Sequence, residues 1–435
     1  MPACQSKMQP AFWYLAILLE LVAAPLAFAG LKFPYVTFCT PTQELPAIFA
    51  SSAIGAGTFT IDVSNNTLTY SIVLGDLVGV ETAATIDGPA EPGAIGVGPA
   101  FTLPLGNHKS GVWNYPESLQ DDLLDGRFYV QIKTTTFPGG ELRGQIVTHI
   151  ATLDADQVVP AATSPASGWG MFVMNPFTHA LKYHVNYFNL CSFETGSAIS
   201  GNAPHLANGA QLLALPAGSV KTGTWNYPDQ TALEDGLLYV TVKTICFATG
   251  ELRGQITRYV SPIDASQEVP PGVSTAGGAG LYSLQSSTST VGMHLLRSEL
   301  AGTETTVTFN GYAARGANAS NLYSLPSTGG EPFRLGSFVY GAANEPKIRT
   351  GQTYSNIRST SASTGEIRGQ FEPPLYFCLG DLNGDRLVDL TDLSTLLSNY
   401  GTGGIGPEGG DVTGEGVVDL GDLSLLLSRF GAICP

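Results

Sequence analysis

Gly140-Glu141-Leu142-Arg143-Gly144-Gln145 returns as Gly250-Glu251-Leu252-Arg253-Gly254-Gln255 and again as Gly365-Glu366-Ile367-Arg368-Gly369-Gln370. The copies begin 110 and 115 residues apart, which leaves little room for chance and marks three copies of one unit. A second mark opens each copy: Gln43-Glu44-Leu45-Pro46, Gln157-Val158-Val159-Pro160 and Gln267-Glu268-Val269-Pro270. Between the marks stand Trp113-Asn114-Tyr115-Pro116 and Trp225-Asn226-Tyr227-Pro228, degenerating in the third copy to Phe338-Val339-Tyr340-Gly341.

The stretches between the marks read as strands. Phe59-Thr60-Ile61-Asp62-Val63 and Leu68-Thr69-Tyr70-Ser71-Ile72 alternate around Ser64-Asn65-Asn66, a hairpin signature. Phe128-Tyr129-Val130-Gln131-Ile132 runs through Phe137-Pro138-Gly139-Gly140 into the closing motif, which predicts a second hairpin with a longer loop. No stretch of 36–372 holds a convincing helical period, and 52 Gly, 28 Pro and 13% charged residues suit short strands with many turns. The expected fold class is mainly β: three tandem antiparallel β-sandwich or barrel modules, then a small α-helical calcium-binding C-terminal domain. The expected segments are a signal peptide at 1–29, repeats at 30–149, 150–259 and 260–372, a linker at 373–377 and the C-terminal domain at 378–435.

The Gln-x-Val-Pro start, the strand pair and the Gly-Glu-[Leu/Ile]-Arg-Gly-Gln end resemble the chordin-type (CHRD) domain. The resemblance implies an extracellular β-rich module with no established catalytic activity. It also implies a mid-domain His-x-His-Gly segment, whose alternating imidazoles would share one strand face and could bind a transition metal. The matching stretches here are Thr85-Ile86-Asp87-Gly88, Ala198-Ile199-Ser200-Gly201 and Thr308-Phe309-Asn310-Gly311. All lack both histidines, which removes the expectation of a metal or redox role.

The N-terminus reads as an export signal: Lys7, a mostly apolar run from Ala11 to Ala29, and Ala27-Phe28-Ala29 before Gly30. The competing reading is an uncleaved membrane anchor, which Glu20 and Pro25 weaken. Export permits disulfides. Cys378 and Cys434 bracket the acidic tail and are expected to pair, as are Cys191 and Cys246, leaving Cys39 over. A net charge of −16 argues against nucleic acid.

Several residues admit two readings. Glu141 with Arg143, Glu251 with Arg253 and Glu366 with Arg368 share a strand face and form either a recognition strip or a structural pairing, the second favoured. Trp113 with Tyr115, and Trp225 with Tyr227, either stack on sugar rings or pack as core aromatics. The histidines at 108, 149, 179, 184, 205 and 294 form no ligand spacing and read as ordinary polar residues. No nucleophile elbow, Walker loop or dinucleotide fingerprint occurs, so no catalytic residue is assigned.

The sharpest chemistry is in the tail. Residues 378–435 hold seven Asp and two Glu against Arg386 and Arg429. Asp381, Asn383, Asp385, Asp389 and Asp392 fall at loop positions 1, 3, 5, 9 and 12, with the Leu387 carbonyl at 7. Ca²⁺ takes about six to eight such oxygens in a flexible loop. Thirty residues on, Asp411, Thr413, Glu415, Asp419 and Asp422 repeat the set, with Val417 at position 7. The competing reading is two acidic helix N-termini. Helices should follow, striped by Leu390, Leu393, Leu396, Leu397 and Tyr400, and by Leu420, Leu423, Leu426, Leu427 and Phe430. The duplicated loop-helix resembles the dockerin type I domain, which implies docking onto a cohesin module. That family's recognition positions are here Leu390-Thr391 and Leu420-Gly421, and the leucines suggest that helix packing uses this face.

Together these readings anticipate a secreted, extracellular or cell-surface, non-catalytic structural or adhesive protein. Ca²⁺ is its cofactor, and its partner is cohesin-like or a cell-surface protein. The mature chain is expected to have no membrane span. The alternative is a carbohydrate-binding accessory of a polysaccharide-degrading complex. The sequence leaves open whether the modules pack together.

Overall fold

The computed structural model describes residues 32–175, 180–227, 229–326, 333–373, 380–382, 387–403, 409–412 and 417–431. The expected signal at 1–29, the linker from 374 onward, His179, Cys378, Cys434 and the loop residues Asn383, Asp385, Thr413 and Glu415 lie outside them.

Each repeat supplies eight strands. The first has β1 (Lys32–Cys39), β2 (Ile54–Asp62), β3 (Thr67–Gly75), β4 (Glu81–Asp87), β5 (Pro99–Thr102), β6 (His108–Asn114), β7 (Tyr129–Thr134) and β8 (Leu142–Gln145). The second has β9 (His149–Leu153), β10 (Ser167–Met174), β11 (Ala180–Phe188), β12 (Glu194–Gly201), β13 (Ala210–Ala214), β14 (Val220–Asn226), β15 (Leu238–Thr244) and β16 (Leu252–Ile256). The third has β17 (Tyr259–Asp264), β18 (Gly277–Gln285), β19 (Thr290–Arg297), β20 (Glu304–Gly311), β21 (Asn321–Ser324), β22 (Phe333–Val339), β23 (Thr353–Ser359) and β24 (Ile367–Phe371). One-turn helices α1 (Gln120–Leu124), α2 (Gln230–Glu234) and α3 (Glu345–Arg349) precede the seventh strand of each copy.

The first module pairs β1-β2-β3-β6 in one antiparallel sheet and β5-β4-β7-β8 in the other, and the second repeats this order. In the third the two sheets run on as one, β21-β20-β23-β24-β17-β18-β19-β22, because Asp264 pairs with Arg368 across β17 and β24. The other modules have the same seam as isolated bridges, Thr40 to Arg143 and Asp154 to Arg253. Each is therefore a near-barrel closed along one side. The first hairpin is longer than its alternating core suggested. Its turn is set by Asp62, whose carboxylate accepts the Ser64 and Asn65 N–H groups at 3.1 Å.

Strand alternation separates two cores. On β1, Tyr35 and Cys39 face the first barrel's interior with Phe59, Ile72, Trp113 and Ile132. Val36 and Phe38 face outward and meet Ile150, Trp169, Met171 and Val173 of the second module and Val260, Ala279 and Leu281 of the third. The modules thus share a buried apolar junction and pack as one body. At about 25 cal/mol per Å² of apolar surface, a second buried strand face is a large contribution to holding them together. Glycine permits close approach between modules: a Cβ on Gly277 of β18 would sit 2.7 Å from the Leu74 carbonyl oxygen of β3.

Ion pairs on one glutamate tie the two sheets of each barrel together, and in the third module that glutamate, Glu304, also takes Arg297 of β19 at 2.7 Å. Lys109 on β6, wholly buried, donates to Glu81 on β4 at 2.6 Å and to the Pro104 and Gly106 carbonyls. Lys221 repeats this with Glu194 at 2.8 Å, and Arg334 with Glu304 in the third module. Burial pulls the Lys109 ammonium below its ordinary value, against the Glu81 carboxylate that raises it. Cys191 and Cys246 form a disulfide, and Cys39 is a buried free thiol, pushed up to about 12 by burial.

Candidate functional site

The closing motif is buried machinery. Glu141, Arg143 and Gln145 are all buried, as are their counterparts in the other modules. Among the described residues the Glu and Arg of one motif do not pair with each other. The Glu141 carboxylate instead accepts from Ser51 Oγ at 2.8 Å, the Val78 N–H at 2.7 Å and Thr134 Oγ1 at 2.7 Å. Glu251 takes Ser164 Oγ, the Cys191 N–H and Thr244 Oγ1 in the same way. The arginines lie over tyrosines, with Arg143, Arg253 and Arg368 at 3.6, 3.8 and 3.5 Å from the ring centroids of Tyr129, Tyr239 and Tyr354. The glutamines staple loops: Gln255 Nε2 donates to the Ala203 and Gly236 carbonyls at 2.7 Å each. The motif is held inside the structure in three ways, by hydrogen bonds to the glutamate, by the arginine over a tyrosine ring and by the glutamine's loop contacts, and its Glu and Arg form no ion pair with each other. The motif's second glycine lies where the last strand crosses the first, and a Cβ on Gly254 would stand 2.5 Å from the Thr152 carbonyl oxygen.

The aromatic pairs offered to sugars are turned toward protein. Trp113 and Tyr115 are buried, and the Trp113 ring stacks on Phe101 at 5.5 Å and meets Phe128 edge-on at 5.8 Å. Tyr227 is buried, and its hydroxyl donates to Asn202 Oδ1 at 2.9 Å. Trp225 is half-buried, packed on Tyr227 at 4.5 Å. Burial inside the barrels leaves Trp113, Tyr115 and Tyr227 little open ring face for a sugar, while Trp225 stays partly exposed. The mid-domain residues Asp87, Ser200 and Asn310 pair across the sheet with those same tyrosines, Tyr129, Tyr239 and Tyr354. Among the described residues no three His, Cys, Asp or Glu side chains cluster closely enough to hold a metal.

The tail contains two loop-helix units, ending in α4 (Leu390–Ser398) and α5 (Leu420–Ser428). Asp389 caps α4 by accepting the Thr391 N–H at 2.7 Å, while the Asp392 carboxylate accepts the Asp389 N–H at 2.8 Å. Asp419 and Asp422 repeat this box on α5 at 2.6 and 2.8 Å. Asp392, Asp411 and Asp422 are buried, Asp381 and Asp389 half-buried, and Asp419 exposed. The carbonyl-bearing residues Leu387 and Val417 are exposed at the surface. Capping accounts for the last two carboxylates of each loop. Asp381 and Asp411 stand nine residues before their helices and are not caps.

The units face each other. Leu382, Val388 and Leu396 pack on Val412, Val418 and Leu426, thirty residues further on. The Gly431 N–H donates to the Val388 carbonyl at 2.8 Å and the Gly401 N–H to the Val418 carbonyl at 2.7 Å. The expected apolar stripe is only partly used. Leu396 and Leu426 are buried, whereas Leu390 and Leu420 are 71% and 67% exposed, and Leu397, Tyr400, Leu427 and Phe430 are also exposed. The leucines at the recognition positions therefore do not pack the helices. A nine-residue helix with one partner covers only one side, and these side chains point elsewhere.

The architecture defines a class: a body of three near-barrels, each with its own core and joined at a shared apolar junction, followed by a paired loop-helix tail. Residues 36–146, 150–256 and 259–371 each match the CHRD domain, and the chain belongs to the CHRD domain family. No curated protein matches the chain. The matched segments end before the tail begins.

Sequence reasoning missed the sheet-tying ion pairs and the junction between modules. The first had a signal in the recurring Glu81 and Lys109, Glu194 and Lys221. The second had one in Trp169-Gly170-Met171-Phe172-Val173-Met174, an apolar run too continuous for a strand with one solvated face.

Proposed function

We propose that this is a secreted, non-catalytic structural or adhesive protein whose fused β body is held to a partner by its calcium-loaded C-terminal unit. The observation that carries this reading is the recurrence, on two facing units, of one buried position-12 carboxylate, Asp392 and Asp422, with Asp381 and Asp411 at the loop starts. A buried carboxylate at position 12 of each loop and a buried or half-buried one at its start, in a segment with nine acids and two arginines, suit a hard divalent cation with oxygen ligands. Asp381, Asn383, Asp385, the Leu387 carbonyl, Asp389 through water and Asp392 would hold the first ion. Asp411, Thr413, Glu415, the Val417 carbonyl, Asp419 and Asp422 would hold the second. The role of the ions is structural: they fix the loops from which α4 and α5 start. Exposed Leu390 and Leu420 then supply apolar contact to a cohesin-like or cell-surface partner.

The body supports a scaffold. Its one repeated charged motif is consumed internally, and its most prominent aromatics fill barrels. Calorimetric titration of the full-length secreted chain with CaCl₂ tests the reading. Heat of uptake is expected, together with loss of helical signal and of hydrogen-exchange protection at 390–398 and 420–428 on adding a chelator, the strands keeping theirs. Absence of both heat and chelator sensitivity overturns it.

A further inference from the structure

We propose that the seam between the second and third modules is an acid-sensitive latch built on His205 and His294. His205 lies in the loop between β12 and β13 of the second module, and His294 lies on β19 of the third. Their rings face each other across the seam with centroids 6.4 Å apart, and both are buried, at 3% and 1% exposure. Each spends one nitrogen on a hydroxyl of the opposite module: His205 Nδ1 with Ser283 Oγ of β18 at 3.0 Å, and His294 Nδ1 with Thr152 Oγ1 of β9 at 3.4 Å. Each Nε2 is buried with no hydrogen-bond partner among the described residues. The neutral imidazoles thus stitch the modules together, and a proton on either has no acceptor within hydrogen-bonding distance there.

The surrounding charges settle the sign. His205 faces His294 and, from β16, Arg253, both of which disfavour its cation. His294 faces Asp154, just past the end of β9, with its Nε2 3.8 Å from the carboxylate, and is also influenced by Asp156; Phe333 of β22 packs edge-on against its ring. Burial holds His205 well below the ordinary imidazole value and lowers His294 to about 4, with Asp156 opposing the second shift. Imidazoles depressed in the closed seam stabilise it above about pH 6.5, and this contribution is lost as pH falls toward 4. Asp154 works the other way. Burial raises it to about 6, and the Gln157 hydrogen bonds only partly offset this. Two imidazoles outweigh one carboxyl, so acid opens the seam. Glu44 and Glu268 lie in the first and third barrels, and their titration does not act across the His205–His294 contact.

Hydrogen exchange of the full-length chain at pH 7 and pH 5, corrected for intrinsic rates, tests this. Protection at 203–207, 281–284 and 292–295 is expected to fall at least about tenfold at pH 5, while the β2–β3 hairpin of the first module keeps its protection. His205→Gln with His294→Gln should abolish the drop. Equal seam protection at both pH values in the unmodified chain overturns the latch. So does a parallel loss in the first-module hairpin, or a folded double variant that still opens in acid. If the double variant does not fold, the comparison on the unmodified chain decides alone.

Discussion

The β body and the tail use carboxylates in opposite ways. In the body, Glu81, Glu194 and Glu304 are each matched by a buried Lys or Arg of the facing sheet, and Glu141 and Glu251 by hydroxyls and backbone N–H groups. For these five carboxylates the polypeptide itself supplies the partners. In the tail, nine acids share two arginines, and among the described residues six make up the buried apolar cluster. A segment of that size seldom holds together by burial alone. The difference teaches that the same residue type fixes structure where the chain brings its own counter-charge, and points to a ligand where it does not.

Three experiments sharpen or break that comparison. The largest effect is expected from Glu194→Ala, which leaves the wholly buried Lys221 without its carboxylate and takes the partner from the Tyr187 hydroxyl. Breaking a buried pair from one side costs about 3–5 kcal/mol. Urea denaturation should show this loss with and without calcium alike, and rescue by calcium would erase the distinction between body and tail. The next effect is pH-dependent. Burial pushes Glu44 and Glu268 up to about 7, opposed by hydrogen bonds from Gln131 and Asn356 and by nearby cations. A carboxyl raised in the folded state stabilises fully below about pH 4.5, and that contribution is lost as pH rises through 7. Glu44→Gln with Glu268→Gln should therefore flatten the stability profile between pH 4.5 and 7, by up to about 3 kcal/mol per site. The second module, with Val158 at this position, shows which side chain replaces the carboxyl. A double variant with the unmodified slope refutes the assignment. The smallest effect is expected at Trp225, half-buried and packed on Tyr227. Trp225→Ala should cost about 1–2 kcal/mol against about 3–5 for Trp113→Ala, and leave binding on a glycan array unchanged. Loss of an array signal would return the ring to a binding role.

Much of the fold was legible because it is repeated. One closing motif in one copy says little, but three in step define modules, and the hairpin around Asp62 and Asn66 was readable from turn chemistry alone. The pairing of Cys191 with Cys246 was readable because both fall within one repeat. Less legible was the fate of individual side chains. Glu141 and Arg143 share a strand face, yet each found better partners elsewhere: Ser51 and Val78 come from distant loops, and Tyr129 from the neighbouring strand. Trp113 and Trp225 occupy equivalent motif positions but differ in burial, which depends on whether a Phe101 is there to cover the ring.

The sequence by itself determined the number of modules, their strand pattern, the duplicated acidic loops and the helices that follow them. These are periodic or local properties, set by spacing, turn residues and caps within a few positions. Only the tertiary structure decided that Val36, Met171 and Leu281 meet in a common core, that Lys109 and Glu81 join two sheets, and that His205 and His294 face each other. Contacts between residues far apart in the chain are chosen by which surfaces fit once the barrels have closed, and no local pattern records that fit.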